Sequence, residues 1–582
     1  MLRRRRLTHR ALPLSAIAAV AFIAGVIAGA GNGGTREVAQ QFVDAWARQD
    51  FAAMHGLLTA SAAAAHTPDR LATAYREAQE TATVAAVAAG RAGEPRPFAG
   101  RELVGVPLQL RTRALGAVRA ELELPIEGGR IAWAPHLVYP GLRPREQLAW
   151  RPRAPRRAAI LAADGSALAI GPAGGRTSEH GDLAGDLIGS TGEPSPVDAA
   201  QLREAGFPDR QPVGRSGLEL AFDERLAGTA GGRLLAISGR SGASRTLARS
   251  RPQRGEPVRT TLEPRVQRTA EAILAERNGG VAVIDTRDGA VLALAGLGVS
   301  ALQPPGSTFK IVTAIAALET GATTPSKFYE PVDYVIAGGR QIENAHDETC
   351  GGTFVQAFAR SCNTVFAPLG HEVGAKALIE TAKRFGFNSR PALYNDQAAE
   401  VLRPRLSSIP AELTDRELGV TAIGQGRLLA TPLQLASIAQ TIAAGGVRHP
   451  TPLVRDSELG PDAEPVRVTS RRYARQVQQM MLETVLNGTG YQGKVPGAQV
   501  AGKTGTAELG VFKKPEPGEQ APAEGEEDER EQEVTAWFTA FAPAGAPRVA
   551  LAVMIIRAEG DGGEVAAPLS RPVMSAALLV TK

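Results

Sequence analysis

Three short stretches hold residues whose types and spacing could do chemistry. In "STFK", Lys310 follows Ser307 by three positions; "SCN" sets Ser361 and Asn363 on either side of Cys362; "AGKTGTAE" contains Lys503, Thr504, Gly505 and Thr506. A serine hydroxyl is too weak an acid to attack a carbonyl unaided, so it needs a base within hydrogen-bond reach. Residues three apart share a helix face, which sets Lys310 beside Ser307. Burial near other cations drives a lysine towards the neutral amine that can take the serine proton. A helix start adds unpaired backbone N–H groups and the positive end of the dipole. In the third stretch, Gly505 lets a strand edge approach a ligand backbone closely. Thr504 and Thr506 share one face of that strand, with hydroxyls suited to a carboxylate. Singly each signal is weak: S-x-x-K arises by chance, Ser307 is equally a helix cap, and Lys-Thr-Gly an ordinary turn. Jointly they supply a nucleophile, a base and oxyanion donors.

The flanking patterns must position these residues. "QPPG" halts the chain before Ser307, and an Ala-rich apolar run follows Lys310. Upstream, Val266, Ala270 and Ile273 form one face of an amphipathic helix that "NGG" ends. A hairpin with "RDG" at its turn comes next, with Val281, Val283, Val291 and Ala293 alternating inward. Helical stretches then dominate to about Gly446, and strand-like runs return as "VTAWFTAFAP" and "PRVALAVMIIRA" before a closing helix. Strands from both ends around helices predict one discontinuous sheet packed against a helical subdomain.

With 582 residues, 43% hydrophobic and 21% charged, the chain is globular and too long for one core. Thr35 to about Pro144 reads as mixed α and β, with Val38, Phe42 and Trp46 on one helix face. Trp46 and Trp133 read there as core residues. The stretch 145–251 is rich in Gly, Pro and Arg, and "RRAAILAADGSALAI" within it reads as two strands joined by a turn. Five arginines in "MLRRRRLTHR" precede the uncharged run Ala11–Ala30. That order favours a membrane span over a nucleic-acid tail, with the bulk of the chain outside the cytoplasm. A cleaved signal peptide is the alternative, and it exports the chain equally. Export puts the two cysteines, Cys350 and Cys362, in an oxidising compartment, where a disulfide is expected; two separate buried thiols are the alternative. Pro515–Glu533 carries nine carboxylates against one arginine and reads as an extended solvated insertion beside the Lys503 strand.

Taken together, "STFK", "SCN" and "KTGT" resemble the motif set of penicillin-binding proteins and serine β-lactamases. The cysteine at the middle of "SCN" departs from the usual S-D-N. "GRSGLELAFDERLAGTAGG" resembles the pedestal, or dimerisation, segment of class B members, and "GQGRLLATPLQLA" and "AWFTAFAP" resemble their transpeptidase segments. Residues 35–144 resemble the domain, similar to nuclear transport factor 2, of the subgroup related to methicillin-resistance transpeptidases.

The resemblance implies a multidomain α+β chain: a basic tail (1–10), an anchor (11–31), the nuclear transport factor 2-like domain (35–144), the pedestal (145–251) and a transpeptidase domain (258–582). It implies a peptidoglycan D,D-transpeptidase that needs neither metal nor organic cofactor. Ser307 is then the nucleophile, with Lys310, Ser361 and Lys503 moving protons. Asn363, Thr504, Gly505 and Thr506 then bind the stem peptide. β-Lactams would acylate the same serine, and partners would be the membrane, stem peptides and wall-synthesis proteins such as a glycosyltransferase. D,D-carboxypeptidase or endopeptidase, β-lactam sensor or β-lactamase, and non-enzymatic scaffold remain the alternatives.

Overall fold

The computed structural model describes residues 33–395, 402–512 and 532–581. The basic tail, the Ala11–Ala30 run and nearly all of the acidic 515–533 stretch lie outside the described residues. Among the described residues no helix is long and apolar enough to cross a membrane. The chain divides into two compact units.

One unit comprises residues up to Arg153 with Arg203–Phe207 and Gly231–Arg251. Helices Gly33–Ala47 and Pro68–Thr81 accompany an antiparallel sheet in the order Val84–Ala89, Arg101–Thr112, Gly116–Glu127, Arg130–Ile131. Helical spacing brings Phe42 and Trp46 to the core, with Val38 packed against it; the alternation of Arg101–Thr112 adds Val104, Val106, Leu108 and Leu110. Trp46 lies 5.1 Å from Tyr75 between ring centroids, and Trp133 Nε1 donates to the Tyr75 hydroxyl at 3.2 Å. Both tryptophans are thus core residues. A three-stranded sheet of Ser244–Ser250, Gly231–Ser238 and Glu146–Arg153 belongs to the same unit.

The other unit holds Ala154–Leu202, Pro208–Ala230 and Pro252 onwards. The 145–251 stretch, expected as one pedestal, is therefore shared between the units. Its "ILAADGSALA" segment forms two short strands, Ile160–Leu161 and Ala167–Ala169, as an antiparallel pair. Arg157 and Glu219, both buried, join the partly buried Arg176 and Asp223 in a network of ion pairs at 2.6–2.7 Å.

In this second unit, helix α1 (Pro264–Leu274) leads into strands β1 (Gly279–Asp285) and β2 (Val291–Gly296). A 3₁₀ turn, Gly306–Phe309, runs directly into α2 (Lys310–Thr320). Strands β3 (Tyr334–Ala337) and β4 (Arg340–Glu343) make a hairpin, and β5 (Cys350–Thr353) precedes α3 (Phe354–Ala359) and α4 (Asn363–Val373). Helices α5 (Asp415–Ala422), α6 (Pro432–Ala443) and α7 (Arg471–Asn487) follow. Strands β6 (Ala501–Phe512), β7 (Gln532–Ala542) and β8 (Val549–Ala558) and helix α8 (Ala567–Val580) close the unit.

The sheet is antiparallel in the order β2-β1-β8-β7-β6, so strands from both ends of the unit do pair across it. Both faces are covered. Val281, Val283, Phe538, Leu551 and Val553 pack with α1 and α8 on one face. Ala282, Ile284, Trp537, Ala550, Ala552 and Met554 pack on the other with α2, α4 and α6. Val291 lies on this second face, not with Val281 and Val283 as simple alternation predicts. A register shift between Val283 and Ile284 turns it over. The order leaves β6, which carries Lys503 to Thr506, at the sheet edge.

Candidate active site

Ser307 lies inside the 3₁₀ turn, not in the first turn of an α-helix. The tighter winding brings residues i and i+3 closer to eclipse than an α-helix does, so Lys310 is placed under Ser307. Pro305 O accepts from Thr308 Oγ1 at 2.7 Å, and Gly306 N donates to Gly424 O at 2.9 Å, which pins the turn from two sides. Ser307 is half-buried, and its hydroxyl has no hydrogen-bond partner among the described residues.

Lys310 is fully buried. Its ammonium group reaches Ser361 O at 2.7 Å, Asn363 Oδ1 at 2.7 Å and Ser361 Oγ at 3.3 Å. The Phe366 ring lies 5.4 Å away. None of these partners carries a countercharge. Burial, and then the nearby Lys503, hold Lys310 well below the usual amine range. Lys503 is equally buried and donates to Ser361 Oγ at 2.9 Å and Thr504 O at 3.0 Å. Burial brings it down to about 7, against the opposing pull of Asp561. Ser361 Oγ is therefore shared by two amines, both biased towards losing a proton.

Ser361 adopts φ +63°, a left-handed conformation that costs a non-glycine residue about 1–3 kcal/mol. It sits at the sharp corner between α3 and α4, and Cys362 N donates back to Ala357 O. Cys362 is joined by a disulfide to Cys350 at the start of β5, with Cα atoms 5.4 Å apart. The residue that departs from S-D-N thus ties the corner to a neighbouring strand. Asn363 opens α4; its Oδ1 faces Lys310, and its Nδ2 donates to Glu343 O at the end of β4.

On the facing edge, Gly505 lies against the Gly306–Phe309 turn. A Cβ added there would stand 2.7 Å from Pro305 O and 2.9 Å from Thr308 Cγ2. Gly306, at φ +52°, abuts the Thr506 backbone in the same way. Thr506 is half-buried, and its Oγ1 accepts from Gly562 N at 3.2 Å. Thr504 is buried and shares a 2.6 Å hydrogen bond with Thr489 Oγ1. The structure thus brings Ser307, Lys310, Ser361, Asn363 and Lys503 to one centre and lays Gly505 and Thr506 along it. The Thr504 hydroxyl is turned to Thr489.

Sequence reasoning did not single out Thr489, Glu343, Asp561, Gly562 or Gln425, whose Nε2 donates to Thr506 O at 3.4 Å. Each acts through its backbone or supports a neighbour, so residue type carries little signal. Only the "GG" of "GDGGE", where chain crowds chain, offered a hint.

This arrangement holds a free hydroxyl, a buried amine without a countercharge, a bridging hydroxyl and a strand edge. Residues 279–575 match the family model described as the penicillin binding protein transpeptidase domain, and residues 153–260 match the penicillin-binding protein dimerisation domain. The chain is 36% identical over 297 residues to the peptidoglycan D,D-transpeptidase PbpA of Mycobacterium tuberculosis, covering 48% of this chain and 56% of that protein. It is 27% identical over 462 residues to the peptidoglycan D,D-transpeptidase MrdA of Acinetobacter baumannii, covering 69% of this chain and 66% of that one. Among solved structures, a ceftriaxone acyl-enzyme complex of penicillin-binding protein A from M. tuberculosis superposes with TM-score 0.56 at 27% identity, over 73% of this chain and 98% of that chain. The D,D-transpeptidase domain of a peptidoglycan glycosyltransferase from Eggerthella lenta does so with TM-score 0.56 at 27% identity, over 73% and 99%. With the family model matching more than half of its length, the chain belongs to the penicillin-binding protein transpeptidase family.

Proposed function

We propose that the chain is a peptidoglycan D,D-transpeptidase working through an ester on Ser307. Ser307 attacks the carbonyl between the terminal D-alanines of a donor stem while Lys310 takes its proton. D-Ala leaves with a proton relayed through Ser361 between the two lysines. An acceptor amine then attacks the ester, the serine oxygen is reprotonated, and a cross-link results. The backbone N–H groups of Ser307 and Thr506 form the oxyanion hole, a role supported by the packing of Thr506 against Gly306. Asn363 holds the donor amide; Lys503 and Thr506 hold the terminal carboxylate, with Gly505 allowing close approach, while the Thr504 hydroxyl is engaged by Thr489. A β-lactam enters the same path and stops at the ester.

The observation that carries this reading is Lys310, buried beside Ser307 with only uncharged partners. A lysine there is costly unless it is used as a neutral amine. The test is fluorescent-penicillin labelling of wild type and Ser307→Ala. The wild type takes one stable label on "STFK" and Ser307→Ala takes none; an adduct elsewhere overturns the assignment. Rapid loss of label identifies a β-lactamase, and no label a scaffold. A stable label with no turnover of a donor stem identifies a sensor. Products from a donor and an acceptor stem separate transfer from hydrolysis by a carboxypeptidase or endopeptidase.

The same reading assigns Ala11–Gly31 as a single-pass membrane anchor behind a cytoplasmic tail, with residues 35–144, 145–251 and 258–582 extracytoplasmic. The pattern of charge before an apolar run supports it. We take residues 35–144 as nuclear transport factor 2-like, supported by two helices accompanying an antiparallel sheet. A glycosyltransferase partner supplies the glycan strands, and no nucleic acid is involved. Protease protection of the C-terminal bulk in intact cells would overturn the topology.

A further inference from the structure

Strand β8 leads into α8 through a π-helical turn, Gly562–Ala566, which lies outside all three catalytic motifs. Asp561 heads this turn. Its Oδ1 accepts from Gly563 N at 2.6 Å and from Glu564 N at 2.9 Å, and the Glu564 carboxylate accepts in return from Asp561 N at 3.4 Å. Such a reciprocal cap fixes the directions of the first backbone N–H groups. The two glycines let the turn crowd the sheet. A Cβ added at Gly562 would stand 2.4 Å from Gly505 O and 2.3 Å from Trp537 O, and one at Gly563 would stand 2.5 Å from Thr489 O. A shift of the capped turn therefore reaches β6 and β7 directly.

The cap leaves Gly562 N for Thr506 Oγ1, to which it donates at 3.2 Å. A hydroxyl oxygen that accepts an N–H bond keeps its own hydrogen for a different acceptor. The Thr506 hydroxyl has no acceptor among the described residues, so that hydrogen is available to an anion lying along β6. The negative charge of Asp561 acts on Lys503 as well, against the effect of burial. The hydrogen-bond partners of Lys503, Ser361 Oγ and Thr504 O, are uncharged, and its charged neighbour Lys310 is another cation. Around Asp561 itself stand Glu564 and, 3.6 Å from its Oδ2, His346 Nε2. One carboxylate thus bears on both groups that meet the end of the donor peptide.

We propose that Asp561 is a positioning residue for recognition of the donor's terminal carboxylate: its cap directs the Thr506 hydroxyl towards that ligand, and its charge keeps Lys503 an ammonium group. The inference rests on the transpeptidase reading above, in which Lys503 and Thr506 hold the carboxylate. Asp561 touches neither the donor nor Ser307 and acts through these two residues.

The test compares benzylpenicillin with its methyl ester, which differ only in the free carboxylate. The ratio of their acylation rates is read by intact-protein mass spectrometry across the pH range in which an amine brought down to about 7 titrates. In the wild type the preference for the free acid fades as pH rises. Asp561→Asn still accepts the cap bonds but carries no charge. It keeps the preference at the acid end and loses it at a pH lower by about half a unit or more. Asp561→Ala loses the cap, and its preference falls about threefold or more at every pH. Histidines change charge near neutrality, so His346→Gln is the control, and it keeps the wild-type midpoint. An unmoved midpoint in Asp561→Asn overturns the proposal, even with the preference raised throughout, since that marks simple repulsion of the ligand. A midpoint displaced in His346→Gln, or a wild-type ratio in Asp561→Ala, overturns it too. Where Asp561→Ala takes neither compound, the Asp561→Asn midpoint decides, repeated with Asp561→Ser as another uncharged cap. A labelled wild type with no preference at any pH overturns the proposal alone; a wild type that takes no label overturns the transpeptidase reading with it.

Discussion

At the residue scale, the site is two buried lysines sharing one serine hydroxyl. The sign of their effect on stability follows from burial. Each lysine has a folded pKa below its unfolded value, so between the two values the unfolded chain holds the extra proton. Stability therefore rises with pH across that window, which for Lys503 runs from about 7 to 10.5. The rise is up to about 1.4 kcal/mol per pH unit for each lysine. Urea midpoints at pH 7 and pH 9 check this: wild type gains, and Lys503→Met gains less. An equal gain in both would show that Lys503 is not the group responsible. The Ser307–Lys310 relation was legible from spacing alone, because i and i+3 meet in any helical winding. The engagement of Thr504 with Thr489 was not legible, because Thr489 is 15 residues away and marked by no motif.

Elements hold these residues by close approach more than by buried area. The β6 edge can lie on the Gly306–Phe309 turn only because position 505 lacks a side chain. Gly505→Ala should push strand and turn apart and slow penicillin acylation at least tenfold, with little change in far-UV circular dichroism. An unchanged rate would mean that the turn yields without disturbing Ser307. The Cys350–Cys362 disulfide acts on the other wall, tying the Ser361 corner to β5. Replacing both cysteines by alanine should cost roughly 2–4 kcal/mol and slow acylation. If denaturant melts show no loss, the corner is held by the Thr353–Gln356 capping box of α3 instead. The motif order predicted helix start, interhelix loop and late strand. It did not show that the loop would be strained at Ser361, since backbone torsion leaves no mark in the sequence of a serine.

At the scale of the whole molecule, Arg157, Arg176, Glu219 and Asp223 join parts of the chain far apart in sequence inside one unit. Glu219 is almost fully buried between two arginines. Glu219→Ala leaves both guanidinium groups without their shared partner and should cost roughly 3–5 kcal/mol. Denaturant unfolding followed by Trp537 fluorescence in a variant lacking the other tryptophans would register it. A shift below about 1 kcal/mol would mark the network as solvent-relaxed. The 145–251 stretch contributes pieces to both compact units, while the dimerisation-domain match spans 153–260. Glycine, proline and arginine report irregular backbone, but not which core each short piece joins.

The sequence by itself determined the family, the discontinuous sheet and which motif residues to look for at one centre, because motif spacing and apolar periodicity are local and survive without coordinates. Tertiary structure decided what depends on contacts between distant segments. It made Lys310 a buried amine with no countercharge, set Asn363 against Glu343, turned Val291 to the opposite face through a bulge, and laid the turn capped by Asp561 against Thr506. Burial and pairing belong to the folded arrangement, since they arise only when chain from elsewhere excludes water.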